Sequence, residues 1–94
     1  MKVEIAEAAL DDLDTLYLDG AMKFGVARAE RYQVELVDSF QKLIDYPRSR
    51  PEHPAIGCGV RLLRFRAHII LYRIAGARIE ILRIRHAHED WKDP

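Results

Sequence analysis

Arg83, Arg85, His86 and His88 stand close together in the stretch RIRHAHEDW, which runs to the only tryptophan, Trp91. On a strand, side chains two residues apart share a face, so His86 and His88 could offer two imidazoles to a metal. Glu89 or Asp90 would be a third ligand. Zinc requires three or four ligands in fixed geometry, which this spacing does not assure, so no metal is expected. Phosphate chemistry is the stronger option. Arg61, Arg64, Arg66, Arg73, Arg83 and Arg85 are spread over the C-terminal half, where arginines on a sheet can hold phosphates and stabilise a pentacoordinate transition state. His68, His86 or His88 could move protons. Against this, strands alternate, so several of these arginines must be solvated or paired with carboxylates for little net energy.

Other chemistries find less support. The only serines are Ser39 and Ser49, and no Gly-x-Ser-x-Gly elbow occurs. Cys58 lies between Gly57 and Gly59, with no helix N-terminus expected nearby to lower its pKa. It reads as a small buried or half-buried thiol. Those glycines lack the lysine and the spacing of a phosphate-binding loop.

The chain that must position these groups has 94 residues and is 49% hydrophobic, enough for one domain, 1–94, with a modest core. No apolar run is long enough to span a membrane, and no long apolar h-region follows the charged N-terminus. A lone cysteine excludes an internal disulfide and fits a reduced, cytoplasmic setting. Charge is divided: residues 1–47 hold 5 Lys+Arg against 10 Asp+Glu, and residues 48–94 hold 10 against 5. Arginine supplies 9 of the 10 C-terminal cations. Its planar guanidinium suits carboxylates, phosphates and interfaces. Mutual neutralisation of the two halves would account for the same asymmetry.

Residues 2–6, KVEIA, alternate as a short strand. Ala6, Leu10, Leu13, Tyr17, Ala21 and Phe24 then recur at helical spacing, and Gly25 ends the run as a C-cap or hinge. Ala29, Tyr32, Leu36, Phe40 and Leu43 predict a second helix that stops at Tyr46, because Pro47 disfavours a helical residue before it. The short connection makes the two helices a hairpin. Residues 47–59, PRSRPEHPAIGCG, read as the longest loop. Strands are expected over 60–66, 68–74 and 78–86, with Gly76 turning the second into the third. Ile79, Ile81, Leu82 and Ile84 occupy both parities of the last strand, which predicts a central strand covered on both faces. The expected class is α+β, in the order β-α-α-β-β-β.

This order, with particular residues at particular spacings, resembles the ParE branch of the ParE/RelE toxin superfamily over nearly the whole chain. The carriers are Ala9 and Asp12-Leu13, Phe24-Gly25, Ala29 and Tyr32, Leu43 before Tyr46-Pro47, and Gly57 and Gly59 before Arg61. HIILYRI (68–74) followed by IEILRIRH (79–86) is the most specific piece. The resemblance implies a helical hairpin packed on a curved, mainly antiparallel sheet. It also implies a cytoplasmic bacterial toxin of a type II toxin-antitoxin system, neutralised by a ParD-like antitoxin. Such toxins are associated with DNA gyrase, which they inhibit by binding, without a cofactor. The RelE branch cuts mRNA on the ribosome instead, and would use Arg61, Arg83 and His86 here. RelE-like nucleases tend to carry an arginine where this chain has Ile69, a tyrosine near the end where it has Trp91, and more lysines in the second helix and the loop after it. These departures favour the binding inhibitor.

On that reading the target-binding residues are Arg83, Arg85, His86, His88 and Trp91, since Arg and Trp dominate interface energies. An antitoxin helix would enter the apolar groove between helices and sheet, which Leu16, Tyr17 and Leu36 could line, although ordinary core is the commoner role for each of them. Its carboxylates would meet Arg64, Arg66 and Arg73. No catalytic residue, membrane contact or sequence-specific nucleic-acid binding is expected.

Overall fold

Lys2–Ile5 forms β1, one residue shorter than the alternation predicts, because Ala6 serves as N-cap of α1 (Glu7–Phe24). In the computed structural model, which describes residues 1–87, α2 (Val26–Asp38) follows after a single residue. That residue, Gly25, has φ 90° and ψ 158°, a conformation essentially restricted to glycine. It lets the chain reverse in one step, and the hairpin packs closely enough that a Cβ at Gly20 would lie 3.5 Å from the Ala29 Cβ.

The predicted second helix is two. After Asp38 the backbone tightens at Ser39, whose N–H is shared between the Glu35 and Leu36 carbonyls while its hydroxyl donates to Leu36 O. Helix α3 (Phe40–Asp45) then runs to the extended Tyr46 before Pro47. The break turns Phe40 and Leu43 into the same core as Leu36.

Strands β2 (Arg61–Phe65), β3 (His68–Ala75) and β4 (Arg78–His86) follow the long loop. The sheet order is β1-β4-β3-β2, with β1 parallel to β4 and the other pairs antiparallel. Strand β4 is therefore interior, as its two apolar faces predict. Its register places Ile81 opposite Tyr72 but Arg83 opposite Leu71, so Leu82 is the extra residue of a bulge. The bulge explains why Ile79, Ile81 and then Ile84 all join the core under the helices, although their spacing changes parity. Leu82 instead joins Val60, Ile69 and Leu71 on the opposite face, where Ile56 of the 47–59 loop also packs. Helices thus cover one face of the sheet and the proline-rich loop covers part of the other.

Tyr72 ties the loop down. It is fully buried, and its hydroxyl donates to Pro47 O at 3.1 Å. Burial pushes its pKa up, offset in part by the charges of Arg61 and Arg50. Tyr72→Phe keeps the ring and strands that carbonyl, so a loss of about 1 kcal/mol is expected in urea denaturation. Cys58 is exposed rather than buried, because the turns at Gly57 and Gly59 carry it outward. Among the described residues no helix is long and apolar enough to cross a membrane.

Candidate functional site: a cleft between the hairpin and the end of β4

Strand β1 pairs with β4 only as far as Ile81. Beyond that point the β4 edge is open, and α1 supplies what a strand would have given. The Asp12 carboxylate accepts the Ile84 N–H at 2.9 Å. It also accepts the Arg83 Nε–H and Nη2–H at 2.8 and 3.0 Å, a bidentate pair. Burial alone would raise the Asp12 pKa. The Arg83 hydrogen bond, the Ile84 N–H and the charges of Arg83 and Arg85 outweigh it and hold the carboxyl below the ordinary aspartate value. This clamp fixes the end of β4 against α1.

Beside the clamp lies a cleft of about 500 Å³, lined by Asp12, Thr15, Leu16, Asp19, His68, Arg83, Ile84, Arg85 and His86. A second hollow, about 280 Å³, continues from it along Gly20, Lys23, Phe24, Arg28, Ala29, Tyr32 and Ala67, sharing Leu16, Asp19, His68 and His86. His68 and His86 face each other across β3 and β4, ring centroids 5.2 Å apart. The Tyr32 hydroxyl lies 2.7 Å from His68 Nδ1 in a hydrogen bond whose direction depends on the imidazole tautomer. Burial raises the Tyr32 pKa, opposed by the Ala67 backbone hydrogen bond and the Arg66 charge. A phenol that keeps its proton beside an imidazole is a polar floor for the cleft.

The tight β2–β3 turn sits at the same end. Arg66 adopts φ 50°, rare for a side chain other than glycine or asparagine. It is held there by an ion pair with Glu35 at 2.6 Å and by stacking over Phe65 and Tyr32, with 5.0 and 5.8 Å to the ring centroids.

The residues expected to bind a target divide accordingly. Arg83, Arg85 and His86 meet in the larger cleft. His88 and Trp91 lie outside the described residues. Of the residues expected to bind an antitoxin, Leu36 is corrected: it is 0% exposed, in the main core cluster with Leu13, Phe40, Leu43 and Tyr72. Leu16 does line the cleft, whereas Tyr17 borders a separate shallow groove with Asp14, Leu18 and Gln33. Arg64 is exposed and donates to Arg66 O. Arg73 pairs with Glu80 at 3.3 Å. Leu16 and Tyr17 belong to α1, and Arg64 and Arg73 to the neighbouring strands β2 and β3. The partners that reading by residue type did not assign are Asp12, Asp19 and Tyr32. Asp12 stood off the apolar stripe of α1, a weak signal that it bonds elsewhere. Among the described residues no cluster of three or more His, Cys, Asp or Glu could hold a metal.

The helical hairpin over a mixed four-stranded sheet is a fold this chain shares with solved structures of ParDE and RelBE2 toxin-antitoxin systems. The model for the "ParE toxin of type II toxin-antitoxin system, parDE" matches residues 3–91, and the chain belongs to that family. It is 27% identical over 82 residues to Toxin ParE1 of Caulobacter vibrioides, covering 87% of this chain and 84% of the relative. Among solved structures it resembles the chromosomal ParDE system of P. aeruginosa at a TM-score of 0.81 and 25% identity, covering 92% of this chain and 95% of that one. The toxin-antitoxin complex RelBE2 of Mycobacterium tuberculosis shares the fold, at a TM-score of 0.67 and 23% identity over 90% of this chain and 95% of that one.

Proposed function

We propose that this toxin acts in the cytoplasm by binding and inhibiting DNA gyrase, and that a ParD-like antitoxin neutralises it. The observation that carries the reading is the ParE-family match over residues 3–91, whose family description is of the parDE system. Two features of the chain support it. Ile69 is buried, 4% exposed, in the apolar cluster on the loop-covered face, so that strand position carries no charge for a phosphate. Arg83 is engaged by Asp12 and helps to build the cleft wall. Arg85 and His86 are the described residues that would contact the target, with His88 and Trp91 following in sequence. The antitoxin would meet Leu16 in the cleft and the exposed arginines Arg64, Arg66 and Arg73.

Purified toxin in excess should reduce negative supercoiling by gyrase, and adding the antitoxin should restore it. Unchanged supercoiling, together with cut transcripts in a translation extract, would reverse the reading in favour of a RelE-like mRNA endonuclease. One observation keeps that second reading in view: Tyr32, His68, His86 and Arg85 border continuous hollows, and such groups can shuttle protons and hold a phosphate. In that case His86→Ala should abolish cleavage while leaving ribosome affinity largely intact.

A further inference from the structure

We propose that the outer edge of β1 is a self-association surface, where the same edge of a second copy pairs antiparallel about a two-fold axis at Val3. Strand β1 ends one side of the sheet, and β4 takes one row of its backbone groups. The N–H groups of Lys2 and Ala6 donate to Ala77 O and Ile81 O. Alternation along the strand turns the N–H and C=O of Val3 and Ile5 the other way, off the sheet. Among the described residues no strand or isolated bridge lies on that side. The opposite edge of the sheet differs. There β2 is met at Arg61 by Glu52 of the loop, and its charged residues, Arg61 and Arg64, are of one sign.

The order of charges along β1 selects both the occupant and the register. Val3 and Ile5 pack against the core under the helices, so Lys2 and Glu4, both exposed, share the other face. Pairing about Val3 exchanges two hydrogen bonds between the Val3 backbones of the two copies. It sets Lys2 opposite Glu4 of the partner subunit, and Glu4 opposite Lys2 of the partner subunit. These are non-hydrogen-bonded positions, where cross-strand side chains come closest. Centring the axis on Lys2 or on Glu4 instead would oppose like charges. A slip of one residue would turn the apolar side chains to the wrong face. Charged residues commonly guard a sheet edge against pairing. In this order they are complementary to a second copy of themselves.

Both faces of the edge favour the pairing. The register neighbour of Lys2 on β4 is Arg78, a like charge, so a carboxylate from across the axis relieves it. Glu4 holds Arg78 at 3.2 Å and keeps acceptor sites for a second cation. On the helix side Val3 and Ile5 line a groove of about 320 Å³ with Val37, Phe40 and Ile44. The two-fold axis brings the two grooves side by side, so apolar surface is covered on one face while charges pair on the other.

Sedimentation equilibrium of the purified chain over about a hundredfold range of concentration tests the pairing, because dimer rises with protomer concentration. A monomer–dimer equilibrium is expected. Lys2→Glu and Glu4→Lys each oppose like charges twice in a dimer and should weaken it at least about tenfold. An equimolar mixture of the two variants should recover association as a heterodimer, and a chain carrying both substitutions should recover the homodimer. Recovery on mixing cannot come from a repaired fold, because mixing alters neither chain. Where a single variant fails to fold, the chain with both substitutions decides. A monomer at every concentration would overturn the proposal. So would a dimer indifferent to the single substitutions, or one that folded single variants do not restore on mixing, either of which would place the contact on another face. A monomeric chain whose antitoxin affinity falls on either substitution would overturn it too, and assign the edge to an antitoxin strand. The association is measured on the toxin alone, so the result is independent of the supercoiling assay.

Discussion

Replacing Asp12 by alanine is expected to destabilise the chain by about 2–3 kcal/mol, from the charge-assisted bonds lost and the backbone N–H stranded. For a chain of this size that corresponds to a fall in Tm of roughly 10–20 °C. The side chain is only 16% exposed, whereas Arg83 is 42% exposed, which keeps the expected loss below that for a wholly buried pair. Three bonds depend on this one carboxylate: two from Arg83 and the Ile84 N–H at the open edge of β4. Asp12→Asn retains an acceptor and should lose less.

The clamp also sets a pH dependence. The Asp12 pKa is lower in the folded chain than in the unfolded one, so its stabilisation is complete above the ordinary carboxylate range, about pH 4. It is lost as pH falls through the folded-state pKa. The stability gap between the wild-type chain and Asp12→Asn should therefore be constant from about pH 7 to pH 5 and close below about pH 4. A gap that stayed open in acid would show that the carboxylate charge is not what holds β4. Because Arg83, Arg85 and His86 line the cleft beside the clamp, the same substitution should weaken target inhibition more than antitoxin contacts at Arg64 or Arg73.

Leu36→Ala is the second large effect, expected to cost about 2–5 kcal/mol by leaving a cavity among tightly packed neighbours. A chain of 94 residues has a total stability of roughly 5–14 kcal/mol. The substitution would thus consume a large share of it, and urea denaturation should show a lower midpoint with a similar slope. Leu16→Ala, half-buried at the cleft, should cost less than about 2 kcal/mol and weaken partner binding instead. If Leu36 were a partner-facing residue, its alanine variant would keep its denaturation midpoint and lose antitoxin affinity at a temperature where it is fully folded. That result would contradict the packing described here.

Much of this architecture was legible in the residues. Periodicity located α1, the strand at 78–86 and the loop beginning at Pro47, because each depends on local preferences that neighbours along the chain express. Apolar residues on both parities of 79–84 also announced the interior strand. The division of the second helix at Ser39 was not legible, since the apolar spacing continues through it and the decision rests on a hydroxyl bonding back to Leu36 O. Leu36, on the apolar stripe of that helix, could be read as core or as groove lining, and packing against the sheet decided for the core.

The sequence by itself determined the element order, the charge asymmetry and the arginine- and histidine-bearing strand ends, because side-chain type and period act at short range. Tertiary structure alone decided which arginines are committed. Arg83 is met by Asp12, 71 positions away, because β1 ends at Ile5, opposite Ile81, and leaves an edge of β4 for α1 to close. Arg61 instead donates to the Arg50 carbonyl, although Glu52 is its bridge partner on the neighbouring segment. Pairing of charges depends on distance in space, which residue spacing along the chain does not encode.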